Sequence, residues 1–207
     1  MKKLSVVLLG LLLSACAVGP SNRETPMIFD FGPPVAQTTE AKIIRASVVL
    51  QGFTAPAWLD TMALGYRLAY QEPARQRAYA NSRWAGTPAA LLTQRLRARL
   101  AAASEGGVIA GGGVRADYLL QLELDEFSHV FDTTERSRGV LVVRATLVSQ
   151  ARHALIAQRT FTIERNAESA DAIGGVHALV AASDALMEAL VAWTAAAAAA
   201  AAAAPTR

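Results

Sequence analysis

The position of the chain's only cysteine constrains this sequence more than any other feature. Cys16 follows a pair of lysines, an apolar run over residues 4–13, and the small residues Ser14 and Ala15. The apolar run is shorter than the ~20 residues that span a bilayer, and with its basic start it is typical of a signal peptide. Small residues directly before a cysteine form a lipobox, so we expect cleavage after Ala15 and acylation of Cys16 with palmitate-type chains. An incidental cysteine is disfavoured, because the chain has no other.

This interpretation divides the chain into four parts. Residues 1–15 are the lipoprotein signal peptide, 16–26 a lipidated tether expected to be flexible, 27–194 the folded domain, and 195–207 a low-complexity tail that is mostly alanine. The mature chain is long enough for one domain with a substantial core. With Cys16 acylated, no thiol remains for a disulfide, so packing has to stabilise the domain. No second apolar run in the sequence reaches the ~20 residues of a membrane span, so the acyl chains are expected to be the only anchor.

The charge balance argues against a protein that binds polyanions. The whole chain has 20 Lys and Arg against 17 Asp and Glu, and Lys2 and Lys3 leave with the signal peptide. The mature chain is therefore nearly neutral, which does not favour binding to nucleic acid. Export also removes the chain from nucleic acid, so we expect no such partner.

One stretch of the chain is nevertheless strongly basic. Residues 73–103 contain no acidic residue and hold six arginines, which are Arg75, Arg77, Arg83, Arg95, Arg97 and Arg99. Guanidinium groups pair well with phosphate and carboxylate, so these side chains are candidate contacts for lipid headgroups or an acidic partner. The alternative is a solvated helix face whose arginine stems cover apolar surface.

Periodicity predicts an α+β domain. Strand-like runs fall at residues 27–31, 42–50, 63–70, 76–84, 118–125, 140–148 and 155–163. Thr87 and Pro88 form a helix start, and that helix is expected to reach residue 103, with Leu92, Leu96 and Leu100 on one stripe. A second amphipathic helix is expected over 169–193. Its apolar face is expected to contain Ile173, Val176, Val180, Met187, Leu190 and Val191. Short polar connections predict an antiparallel meander of the last three strands. We therefore expect a single domain with a mixed or mostly antiparallel sheet and two main helices packed on it. The alanine segment 195–204 could extend the last helix, since alanine is the best helix former, but it is expected to fray without packing against anything distinctive.

No pattern predicts a catalytic, cofactor or metal site. The three histidines, His129, His153 and His177, lie far apart in the sequence, and no ligand-spaced cluster is present. No serine lies in a G-x-S-x-G setting. The glycine segment 106–113 lacks the Lys-Ser/Thr of a phosphate-binding loop and precedes a predicted strand. We expect no catalytic residue, no metal and no cofactor.

The order of several short motifs resembles a known protein family. The motifs are FDFG at 29–32, APAWLD at 55–60, YRL at 66–68, YANSRWA at 79–85 and a leucine-rich helix over 91–100. Together with the lipobox they resemble the ABC-type transport auxiliary lipoprotein family, which includes the paraquat-inducible lipoprotein C group. The family residues matched here, which the resemblance implies define the fold rather than bind a ligand, are Leu59, Tyr66, Arg67, Tyr79 and Trp84.

The resemblance implies a non-catalytic accessory protein in the bacterial envelope. Members of this family are lipid-anchored, face the periplasm, and accompany an ABC transporter permease and ATPase together with an MCE-domain protein that moves lipids. The implied mode of action is protein–protein contact, with a homo-oligomer left open. Ala17 stands where an aspartate retains many lipoproteins in the inner membrane, so transfer to the outer membrane is the implied route.

Two other functions stay open at this stage. Trp58, Trp84 and Trp193, with Tyr66 and Tyr79, are either core residues or the lining of an apolar groove, as a periplasmic lipid-binding carrier needs. An envelope hydrolase would need a serine, a histidine and a carboxylate to converge in one cleft.

Overall fold

An eight-stranded mixed sheet and two helices make up the described part of the chain. The computed structural model describes residues 25–33, 42–110 and 115–203. The strands are β1 (Met27–Phe29), β2 (Val48–Thr54), β3 (Ala63–Leu68), β4 (Arg77–Trp84), β5 (Val108–Ala110), β6 (Tyr118–Phe131), β7 (Ser137–Ser149) and β8 (Ala154–Asn166). The helices are α1 (Pro88–Ala103) and α2 (Ala172–Ala203). This architecture confirms the predicted α+β class, with a mixed sheet.

Strand β6 is the centre of the sheet. The antiparallel strand β7 pairs with it on one side, and β8 pairs antiparallel with β7, which is the predicted meander. On the other side β2 runs parallel to the first half of β6, with Val48 opposite Tyr118, and β3 runs parallel to its end, with Tyr66 opposite His129. β5 extends the sheet from β2, and β4 and then β1 extend it from β3.

A β-bulge in β6 explains why the sequence pattern ended too early. The register with β7 shifts between Leu124 and Glu126, so that Asp125 is the extra residue. Leu122 and Leu124 face the core before the bulge, whereas Phe127 and His129 face it afterwards. Because a bulge of one residue reverses the alternation, a period-two pattern cannot be followed through it. The predicted strand stopped at residue 125, and the real one continues to Phe131.

The two helices pack on one face of the sheet. Thr87 is the N-cap of α1 and its side chain accepts a hydrogen bond from the amide of Ala90, as the sequence predicted. Leu92, Leu96 and Leu100 are fully buried, which confirms the predicted stripe. In α2 the buried face includes Leu179, Leu186 and Leu190. The prediction that Ile173 belongs to this face is wrong: Ile173 is exposed, whereas Gly174 and Gly175 of the same turn are buried, so Ile173 lies on the solvent side of the helix.

Two glycines allow α2 to approach the sheet closely. A Cβ atom on Gly139 in β7 would lie 2.7 Å from the backbone nitrogen of Leu179. A Cβ atom on Gly175 in α2 would lie 2.4 Å from Nδ1 of His129. Any larger residue would require the helix or the histidine to move, so the spacing between α2 and the sheet depends on these positions.

The alanine segment is an ordered part of α2 as far as Ala203, so the prediction that it packs against nothing is wrong for residues 195–203. Ala198 is buried, the hydroxyl of Tyr118 donates to its carbonyl at 3.4 Å, and Arg152 donates to the carbonyl of Ala201 at 3.4 Å. Alanine has the highest helix propensity, and its small side chain lets the helix stay close to the sheet beyond Trp193.

The resulting 32-residue helix α2 is long and apolar enough to cross a membrane by length and composition alone. Its contacts point to a core helix instead, because it packs along β7 and β8 and buries Leu179, Leu186 and Leu190.

Candidate functional site

The predicted lipidation site lies outside the described residues. Cys16 belongs to the part of the chain before residue 25. Acylation of its thiol therefore stays a prediction from the lipobox.

The structure separates the six arginines of the basic stretch into different environments. Arg95 is only 8 % exposed, and Arg99 is also buried in the same helix. Arg75 and Arg77 share the carboxylate of Glu72, at 3.2 and 3.5 Å. The remaining two side chains, Arg83 on β4 and Arg97 on α1, are exposed. As headgroup or partner contacts the six arginines remain a prediction, but only the exposed members are available from solvent.

Arg95 connects three parts of the fold. Its guanidinium group lies 2.8 Å from Oδ1 of Asp184 in α2, and its Nη1 donates to the carbonyl of Gly32 at 2.9 Å. Gly32, three residues after the end of β1, has a positive φ of 65°. A buried cation needs both charge compensation and filled hydrogen bonds, and Arg95 has both. Arg95 therefore has a structural role.

Arg99, one turn further along α1, is less well satisfied. Its Nε and Nη2 atoms are buried and have no hydrogen-bond partner within the described residues. Nothing in the sequence distinguishes Arg99 from Arg95, since both are spaced like the buried leucines.

A polar and aromatic cluster occupies the place where β3, β4, β6 and the start of α2 meet. His129 is 0 % exposed, and its Nδ1 lies 2.9 Å from the hydroxyl oxygen of Tyr79. The rings of Tyr66 and Phe131 complete the cluster, with centroids 4.7 Å from Tyr79 and 4.5 Å from His129 respectively. Nε2 of His129 has no partner within the described residues. The spacing of the histidines along the sequence gives no sign of this cluster, and its sequence signal lies in the alternation of β6 after its bulge.

Burial controls the ionisation of this cluster. Desolvation lowers the pKa of His129 to about 4, and the nearby carboxylate of Asp171 opposes this effect only weakly. Burial also raises the pKa of Tyr79, so its hydroxyl stays protonated. Asp171 is held charged, with its pKa lowered by the backbone amide of Gly174 at the start of α2 and by Ser169. His129 is therefore neutral at physiological pH.

The neutral histidine predicts a loss of stability in mild acid. The pKa of His129 is about 4 in the folded protein and about 6.5 when exposed, so between these values the unfolded chain binds a proton that the folded protein excludes. The free energy of unfolding should fall by about 3 kcal/mol as the pH drops from 6.5 to 4. Urea denaturation across this pH range measures the slope. We expect His129→Gln to flatten this slope and His153→Gln, at an exposed position, to leave it unchanged. An equal slope in all three proteins would contradict the assignment.

The other face of the sheet, opposite α1 and α2, carries a second group of interactions. We call it the outer face. Arg67 of β3 forms an ion pair with Glu126 at 3.1 Å, and its guanidinium carbon lies 5.7 Å from the ring centroid of Trp58. The hydroxyl of Ser128 also donates to Glu126. The family motifs that contain Trp58 and Arg67 therefore meet in space, which fits their expected role in defining the fold.

The aromatic residues do not line one groove. Trp84 is fully buried between Phe31 and Phe127, with ring centroids at 5.6 and 5.5 Å. Trp193 packs on Phe161 at the far end of α2. The groove hypothesis based on the tryptophans and tyrosines is therefore wrong, because their strands and helices place them in separate parts of the molecule.

A different groove runs beside the alanine segment of α2. It has a volume of about 710 Å³ and is open to solvent. Its walls include Ile43, Ala46, Tyr118, Ala198 and Ala202, with Arg45 and Asp117 at the rim. The lining is mostly apolar, and it contains none of the arginines or aromatic residues that the sequence suggested as binding residues.

The described ranges 25–33, 42–110 and 115–203 hold no group of three His, Cys, Asp or Glu side chains placed to bind a metal ion. Within the same residues no serine hydroxyl is hydrogen-bonded to a histidine ring, since the partner of His129 is Tyr79. The arrangement required by the hydrolase hypothesis is thus not seen in this part of the chain.

Comparison with known proteins places the chain in a family. No curated protein matches it in sequence. Among solved structures it is similar to protein XCC0632 from Xanthomonas campestris, with a TM-score of 0.69 and 22 % identity over 83 % of this chain and 96 % of that one. It is also similar to an uncharacterized protein, with a TM-score of 0.62 and 15 % identity over 82 % and 99 % of the two chains. At these identities the likeness shows a shared fold. The family model of the ABC-type transport auxiliary lipoprotein component matches residues 29–192, and the chain belongs to that family.

Proposed function

We propose that this protein is an outer-membrane lipoprotein facing the periplasm, and a non-catalytic component of an ABC and MCE-type lipid transport system. It is held by acyl chains on Cys16 and acts by contact with its MCE-domain and transporter partners. The observation that carries the proposal is the family match over residues 29–192, in a chain with a lipobox at residues 13–16.

The structure of the domain supports a role in contact rather than in chemistry. The two most perturbed ionisable side chains, His129 and Tyr79, are partnered with each other inside the fold. The buried cation Arg95 is engaged by Asp184 and by a backbone carbonyl. These polar groups hold elements of the fold together.

Crosslinking in the native envelope tests the partner. Affinity purification of the tagged full chain after crosslinking should recover an MCE-domain protein together with the permease or ATPase. A tagged, unrelated outer-membrane lipoprotein is the control for proteins recovered only because they share the membrane. Recovery of the same proteins with both baits, or of no transporter subunit, would overturn the proposal.

Replacing the lipidated cysteine should release the protein from the membrane. We expect Cys16→Ser to abolish incorporation of labelled palmitate and to move the protein from the membrane fraction to the soluble fraction, because several buried acyl chains hold a protein firmly and none remains. Ala17→Asp is the matched variant. It should keep the label and the membrane association but shift the protein from the outer to the inner membrane fraction. Unchanged fractionation of Cys16→Ser would contradict the proposed anchor.

The open groove beside the alanine segment favours a second candidate function, a periplasmic lipid-binding carrier. A mostly apolar groove of about 710 Å³ is within the size range of small-molecule sites. Native mass spectrometry of the purified protein distinguishes the two, because a carrier retains phospholipid and a contact protein does not. Loss of the retained mass in Ala198→Asp would assign that lipid to the groove.

A further inference from the structure

The outer face of the sheet has two halves of different character. Over β2, β6, β7 and β8 its polar side chains are paired with one another across the strands. Arg144 forms ion pairs with Glu123 and Asp125 at 3.0 and 3.3 Å. Gln158 donates to Thr146 at 2.9 Å. The paired polar groups suit this part of the face to water, and Leu155 at the start of β8 is its exposed large apolar side chain, at 61 %.

Over β1, β4 and β3 the same face is apolar and cationic. Ile28, Arg83 and Ala63 lie side by side across these three strands. Ile28 is 56 % exposed, and Trp58, beside Arg67 on this face, is 49 % exposed. We call Ile28, Trp58, Ala63 and Arg83 the apolar half.

Ile28 projects outward because its neighbour Phe29 packs against the core. The same argument applies to Arg83, since the adjacent Ser82 and Trp84 are buried. The exposure of these side chains therefore follows from the strand alternation. It does not come from a frayed end.

The strand that carries Ile28 is the first strand after the predicted tether in the sequence. Ten residues, 17–26, separate Cys16 from the first strand, and ten residues span at most about 35 Å. The strand that carries Ile28 is thus the part of the domain closest along the chain to the acylated residue. The side chains present there match the chemistry of a phospholipid surface. Tryptophan favours the interface, an aliphatic side chain favours the acyl boundary, and arginine pairs with phosphate.

We propose that the apolar half rests on the lipid surface to which the chain is anchored, so that Ile28 and Trp58 enter the interface and Arg83 meets anionic headgroup phosphate. This inference rests on the proposed acylation of Cys16. It orients the domain, because the two helices, which lie on the opposite face of the sheet, then point away from the membrane. The absence of acidic residues from 73 to 103 keeps negative charge on that stretch away from the headgroups.

Site-directed labelling tests this orientation. The variants Ile28→Cys and Gln158→Cys each carry one free thiol, because Cys16 is acylated, and both positions are exposed on the outer face. Each acylated full chain is labelled with an environment-sensitive fluorophore and inserted into vesicles of phosphatidylethanolamine and phosphatidylglycerol. We expect a blue-shifted emission at position 28 and several-fold stronger quenching by spin-labelled lipid there than at position 158. Replacing phosphatidylglycerol by phosphatidylcholine should weaken the quenching at position 28.

The outcomes separate this inference from the proposed function. A chain that lacks acyl chains by mass and fails to sediment with vesicles overturns the anchor, and the orientation with it. A chain that sediments but shows equal quenching at positions 28 and 158 overturns only the orientation. A label at position 28 that stays in water on vesicles, but is protected in the native envelope, would identify a protein partner as the occupant and would also overturn it.

Discussion

Asp184→Ala should lower the free energy of unfolding by about 3–5 kcal/mol, because it leaves a buried guanidinium group without its counter-ion. Arg95 is 8 % exposed, and the Asp184 carboxylate lies 2.8 Å from it. The remaining acceptor, the carbonyl of Gly32, cannot compensate the charge. Urea denaturation followed by far-UV circular dichroism measures the loss.

A matched exposed pair is the control for this prediction. Glu123→Ala removes a partner of Arg144, and both side chains of that pair are about half exposed. A change of only about 0–1 kcal/mol is expected there, since solvent screens exposed ion pairs. In the double variant Arg95→Met/Asp184→Leu we expect most of the stability to return, because no buried charge is left unpaired. A single Asp184→Ala variant as stable as Glu123→Ala would show that water reaches Arg95.

Trp84→Ala should be about as damaging, with an expected loss of about 3–5 kcal/mol, because the variant no longer buries an indole and a cavity remains in its place. Trp84 is fully buried, and its ring contacts the rings of Phe31 and Phe127. These contacts connect the segment after β1 to strand β6. Its Nε1 atom has no hydrogen-bond partner within the described residues, so the loss comes from packing.

Trp58→Ala provides the comparison, because Trp58 is half exposed and its ring lies beside the guanidinium group of Arg67. We expect a change well below that of Trp84→Ala in the same denaturation experiment. An equal loss of unfolding free energy in the two variants would contradict this prediction, because it would show that Trp58 is packed as tightly as Trp84.

Local chemistry determined a large part of this fold. Thr87 and Pro88 start α1 because a hydroxyl cap and a proline satisfy the first turn of a helix wherever it lies. The short polar connections before β7 and β8 bring those strands back antiparallel for a similarly local reason. The family motifs could be recognised in order along the sequence, and the family model matches the same region.

Interactions between distant residues could not be predicted in this way. The bulge at Asp125 reverses the alternation of β6, and this reversal turns His129 into the core, beside a tyrosine fifty positions earlier in the chain. The charge run 73–103 looked uniform in the sequence, whereas the packing of α1 against α2 buries Arg95 and leaves Arg97 in solvent. The alanine segment was expected to fray, and its order depends on contacts with β6 and the β7–β8 turn.

The sequence by itself determined where the chain is expected to be anchored, which segments become strands and helices, and which family it resembles. Each of these depends on neighbours within a few residues. Only the tertiary structure decided which polar side chains are buried, since burial depends on what a distant segment places above them. It also decided that the outer face carries one polar half and one apolar half, because that division exists only after β1, β4 and β3 have aligned.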